Sequence, residues 1–120
     1  MKRTFYTSGE ITLQLTRQTN GTVLTSAAFH SEHVECIISY EQARVHAPPP
    51  YSTSDVSIEK IALNNDAIFE LEGGDEATNI LIVARKGSDI YPLLSANVLR
   101  QLTDQIIDQI TQEARYDYAG

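Results

Sequence analysis

The apolar residues of this chain change their spacing partway along, and that change limits the fold to strands followed by a helix. Ile11, Leu13 and Leu15 alternate with Thr12, Gln14 and Thr16, the period of a half-buried strand. From Val98 onward the interval becomes three and four. Val98, Leu99, Leu102, Ile106, Ile107 and Ile110 share one helical face, with Gln101, Asp104, Gln105, Asp108 and Gln112 opposite. Ser95 is a suitable N-cap and Pro92 limits an earlier start, so a helix is predicted over about 96–114. Residues 116–120 lack periodicity and are expected to form a flexible tail.

Between these landmarks the sequence reads as strands. Asn20-Gly21 is a strong hairpin signal, because both residues tolerate positive φ. A second strand is expected from Thr22 to Phe29. A third runs from about His33 to Val45, with Val34, Cys36, Ile38 and Tyr40 on one face, completing a meander. Pro48, Pro49 and Pro50 remove three backbone donors and end the pairing in an extended, rigid loop. Val56 to Leu63 suggests a further strand, and its phase shift at Glu59-Lys60 predicts a bulge. Asn64-Asn65-Asp66 and Gly73-Gly74-Asp75 read as turns flanking a short strand over Ala67–Glu72. Ile80 to Ala84 is apolar without alternation, which predicts a central strand buried on both faces and lying beneath the helix. The expected fold class is therefore α+β. An antiparallel sheet of five to six strands, a meander plus a second group after the proline-rich break, is covered by one C-terminal amphipathic helix. Residues 1–115 are expected to form a single domain.

Charge narrows the choice of partner. The 120 residues carry a net charge of −7. Between Glu32 and Glu76 ten acidic residues face only Arg44 and Lys60, giving that stretch −8 and the two ends together +1. Such a balance disfavours nucleic acid, whose phosphates demand Lys and Arg. It suits a protein partner with a basic surface. The residues expected to meet that partner are Tyr51, Asp55, Glu59, Glu70, Glu72, Asp75 and Glu76. Tyr51 ends a Pro-Pro-x-Tyr pattern and is expected to be exposed on a protruding loop. No apolar run approaches the ~20 residues of a membrane span. The basic start Met1-Lys2-Arg3 lacks the apolar stretch of a secretion signal, so a cytoplasmic location is expected. The single Cys36 excludes an intramolecular disulfide.

Chemistry-bearing residues are few. His30, His33, Cys36 and His46 fall within seventeen positions, and zinc takes nitrogen and sulfur ligands. An odd separation within one strand would put His33 and Cys36 on opposite faces, so a His30/His33/Cys36 metal site requires a turn at Ser31-Glu32. No catalytic residues and no cofactor are expected. Glu70, Glu72, Asp75 and Glu76 do not match a calcium loop, and Gly73-Gly74 lacks a phosphate-loop pattern.

Two segments carry a family flavour. Val56-Ser57-Ile58-Glu59-Lys60-Ile61-Ala62-Leu63-Asn64 resembles the strand after a proline-containing break in small accessory proteins of tailed bacteriophages and prophages. Asp89-Ile90-Tyr91-Pro92-Leu93-Leu94-Ser95 is similar to the entry into their C-terminal helix. In those proteins the strand leads almost directly into the second segment, whereas here residues 65–88 intervene. The resemblance implies a phage accessory role in the host cytoplasm and carries no catalytic residues over. The expected function is a non-enzymatic acidic interaction module, such as an inhibitor or modulator of a host nucleic-acid-handling or defence protein. A phage structural or assembly subunit that homo-oligomerises is the first alternative. A small metal- or ligand-binding domain using His30, His33 and Cys36 is the second.

Overall fold

The computed structural model describes the backbone of residues 1–19, 23–73 and 80–119, and the side chains of residues 1–16, 26–73 and 80–115. Its frame is one long antiparallel pair, β1 (Lys2–Thr19) and β2 (Val23–Gln42), in register from Lys2↔Glu41 to Thr19↔Val23. The Asn20-Gly21 turn lies outside the described residues. The expected meander is corrected here, because its second and third strands are one continuous strand. Phe29 and Ser31 point inward on one side of Glu32-His33, and Val34, Cys36, Ile38, Tyr40 and Gln42 on the other. That change of phase is a bulge rather than a break. Gly9 pairs with Val34 and Ile11 with Ser31, so Glu10 alone opposes both Glu32 and His33. Gly9 holds φ +144°, a conformation that L side chains rarely adopt, which fixes glycine at this step. β1 also begins earlier than alternation indicates. Arg3 and Thr7 take inward positions around Phe5, hiding the period behind polar residues.

β2 is shared by every neighbour but one. Its far half pairs with β3 (Val56–Leu63) from Cys36↔Leu63 to Gln42↔Val56. Its near half pairs with β4 (Ala67–Leu71) at Phe29↔Leu71 and His30↔Glu70. With β1 along one flank, β3 and β4 lie end to end on the other. Ser39 pairs with Lys60 and Tyr40 with Ile58, which leaves Glu59 as the extra residue of the predicted bulge. β4 pairs outward with β5 (Leu81–Ala84), completing a five-stranded antiparallel sheet. No strand passes through the proline run.

β5 overturns one expectation. Among the described residues it is an edge strand, with β4 on one side only, and Leu81 and Val83 are exposed rather than buried. An apolar run without alternation arises equally in a covered central strand and in an edge strand with an uncovered face. Sequence period does not separate the two.

The helix bed lies elsewhere. After β5 the chain returns along the outside of β3, where Leu63 donates to Ser88 and Ile90 to Ile61, each at 2.9 Å. A single 3₁₀ turn at Tyr91–Leu93 carries it across the inner face, and Leu94 bridges to Leu13 of β1. α1 (Ala96–Ala119) then packs over β1 and β3. Ser95 caps it as expected, its hydroxyl accepting from Val98 N–H at 3.3 Å. Thr7 bonds Gln105 at 3.0 Å and Arg3 pairs with Glu113 at 2.7 Å, so α1 runs toward the start of β1. Leu102, Ile106 and Ile110 are buried in one core cluster with Val34, Cys36, Ile38, Ile61 and Leu63. The helix continues to Ala119 where a tail from residue 116 was expected, there being no proline or glycine to stop it before Gly120.

Candidate functional site

Among the described residues the face of the sheet opposite α1 is open, and it carries the β2 bulge. The extra residue turns Glu32 and His33 both to solvent, and strand alternation puts His30 on the same side. Glu10 crosses from β1 into the gap. Ligand atoms of Glu10, His30 and Glu32 all lie within 4.8 Å of one another. On the other flank β4 sets Glu70 opposite His30, and the Glu72 carboxylate stands 3.8 Å from His30 Nδ1. Thr12 Oγ1 lies 3.1 Å from the same nitrogen. Asn65 ties the floor together, its side chain accepting from Glu35 N–H at 3.1 Å and donating to the His33 carbonyl at 3.0 Å. An open cleft of about 480 Å³ results, lined by His30, Glu32, His33, Asp66, Ile68 and Glu70 among others, none of them Lys or Arg.

The residues expected from sequence to meet a partner do not stay together. Glu70 and Glu72 join the cleft. Asp55 and Tyr51 stand apart from it and serve the fold. Asp55 is 4% exposed, and both its oxygens accept from Arg44, at 2.7 and 2.8 Å. Those bonds, with one from Ser52 N–H, hold its carboxyl well below the usual range against the opposing effect of burial. Tyr51 is half-buried instead of protruding: its hydroxyl donates to the Ala47 carbonyl at 2.8 Å and Arg44 stacks over its ring. Glu59, at the β3 bulge, lies 3.7 Å from Lys2 Nζ. Asp75 and Glu76 lie outside the described residues.

Of the proposed metal ligands, the fold brings only the histidines to this face. Cys36 is wholly buried in the core, and burial pushes its thiol up to about 11. The His30/His33/Cys36 set is therefore not assembled, for the reason strand geometry gives: Cys36 and His33 point to opposite faces. Sequence reasoning missed Glu10 and Thr12, which reach His30 only through cross-strand register. The available signal was the phase change between Phe29 and Val34.

A nucleophile relay needs hydroxyl and carboxylate on opposite nitrogens of the imidazole. Here Thr12 Oγ1 is within hydrogen-bond distance of Nδ1 and the Glu72 carboxylate stands near the same nitrogen, so the two do not take opposite nitrogens. Among the described residues Glu10, Glu32 and Glu70 have no Lys or Arg within ion-pair distance, whereas Glu41, Glu59, Asp55 and Glu113 each have a cationic partner. Among the described residues, Glu32 and Glu70 at this cleft thus lack the cationic partner that Glu41, Asp55 and Glu59 of the same stretch have. No protein-family model matches the chain, and comparisons with curated proteins and with solved structures return no significant match.

Proposed function

We propose that this chain is a non-enzymatic interaction module that receives a basic protein surface on its open sheet face. The observation that carries this reading is the convergence of Glu10, Glu32, Asp66, Glu70 and Glu72 around His30, in a cleft lined by no cation among the described residues. Guanidinium groups fit such a site well, since each presents several donors to carboxylates that already face solvent. A basic surface of this kind belongs typically to a protein that handles nucleic acid, so the module would act as an inhibitor or modulator of it. The resemblance of residues 56–64 and 89–95 to phage accessory proteins supports a host target in the cytoplasm. The test is affinity capture from the source cell with the wild-type chain and a Glu32→Lys/Glu70→Lys variant. Capture of a basic protein is expected, released by roughly 0.5 M salt as charges are screened, and lost in the variant. Partners retained at high salt and by the variant would refute the reading.

A second reading rests on the mutual approach of the Glu10, His30 and Glu32 ligand atoms. Zinc ligands at ~2.0–2.2 Å from the metal stand about 3.3 Å apart, so modest side-chain rotation would close the site on a divalent ion. Calorimetric titration with zinc is expected to give one site, lost in His30→Ala. No heat above the level of that variant excludes it.

A further inference from the structure

We infer that a second copy of this chain docks edge to edge on β5, extending the sheet across a two-fold axis. Among the described residues β5 is an open edge, and its outer face with β4 carries a ladder of exposed apolar side chains: Ile68 at 55%, Leu81 at 48% and Val83 at 60%. Ile68 and Val83 are direct cross-strand partners, which makes the ladder continuous. Natural sheets blunt such edges with charge, proline or a covering element, and Ile80–Ala84 contains neither charge nor proline.

Backbone direction identifies the occupant. Leu71 N–H donates to the Ile80 carbonyl, so Ile80, Ile82 and Ala84 turn their polar groups toward β4. Leu81 and Val83 turn theirs to the free edge. In an antiparallel pairing centred on Ile82, Leu81 of one copy opposes Val83 of the other, and every one of those outward groups finds a partner. The same register keeps the two apolar ladders on one face, side by side.

Charge supports the same operator. Arg85 and Lys86 follow β5 at one end of the patch, where Asp66 accepts from the Lys86 backbone N–H and leaves that end net basic, and Glu70 and Glu72 flank its other end. A two-fold antiparallel arrangement brings the basic end of each copy beside the acidic end of the other, whereas a parallel approach would oppose like charges. α1 is committed to β1 and β3 on the inner face. The axis stands perpendicular to the sheet, so both acidic clefts would face the same way. The inference goes beyond the proposed binding function and holds whatever the cleft receives.

Sedimentation equilibrium over a concentration series up to about 1 mM tests it. A seam this short falls in the weak class, with dissociation expected at about 10–100 μM. Wild-type mass should rise from 13.3 kDa toward twice that value. Leu81→Pro removes an outward N–H that the β4 ladder does not use, and Val83→Lys places a charge on the seam. Both should stay at monomer mass with unchanged far-ultraviolet circular dichroism. Ile68→Lys, on β4, should weaken dimerisation without abolishing it. A wild-type chain that remains monomeric at ~1 mM overturns the inference. So does a dimer that survives both β5 substitutions, or one lost in Ile68→Lys yet kept in Leu81→Pro, because that pattern describes stacking of faces.

Discussion

Asp55 shows how far a single side chain can depart from what its surroundings in sequence suggest. It sits in the most acidic third of the chain, yet it is buried and gripped by Arg44 through two hydrogen bonds. Arg44 itself holds φ 53°, an unusual value for a residue with a side chain, so the pair also secures a left-handed step after β2. Asp55→Asn is expected to lower the melting temperature at pH 7 by more than Glu70→Gln or Glu72→Gln does. The folded chain holds the Asp55 carboxyl below its ordinary value, mainly through Arg44. Its contribution is therefore complete above the unfolded value of about 4. It fades as pH falls from there toward the lower folded value. The gap between wild type and Asp55→Asn should be flat from pH 5 to 8 and narrow below pH ~4, as thermal melts across that range would show. Nothing local to Asp55 in the sequence announces this role, because its partner lies eleven residues away across the proline loop.

At the scale of elements, legibility followed locality. The inward sets Ile11–Leu15 and Val34–Tyr40 and the helical face of Leu102, Ile106 and Ile110 were readable because each is a repeat within a few residues. The Glu59 bulge was readable for the same reason. What failed was order between strands. The bulge at Glu32-His33 looked like a strand break, and β5 looked like a core strand, because period reports faces and says nothing about neighbours. The cleft was half legible: Glu70 and Glu72 stood out by charge, while Glu10 needed the register of β1 on β2. The reassigned roles of α1 and β5 give a direct contrast. Ile106→Ala is expected to cost about 2–5 kcal/mol in denaturant titrations, as for other fully buried aliphatic side chains. Val83→Ala should stay within about 0.5 kcal/mol in dilute solution. Equal losses would mean that β5 is covered after all.

For the whole molecule, the division of faces matters more than any one residue. The inner face carries α1 and the crossing segment 90–94, and the outer face carries the cleft and the apolar ladder. The radius of gyration, 17.1 Å, exceeds the roughly 14 Å of a compact chain this long. The excess follows from the β1–β2 pair, whose length sets the 59 Å long axis. Such a shape exposes more surface for its mass than a compact domain does.

The shared use of β2 also governs how fast the protein can form. β3 and β4 have nothing to pair with until β2 is laid down, and β5 has nothing until β4 is in place. Closing the β1–β2 hairpin is local, while α1 reaches back to residues almost a hundred positions earlier. A chain dominated by such distant contacts is expected to refold in milliseconds to seconds. Substitutions in the hairpin, such as Ile38→Val, should slow refolding in stopped-flow experiments. Those in β5 should act on unfolding alone, since the last strand to arrive is the first that can leave.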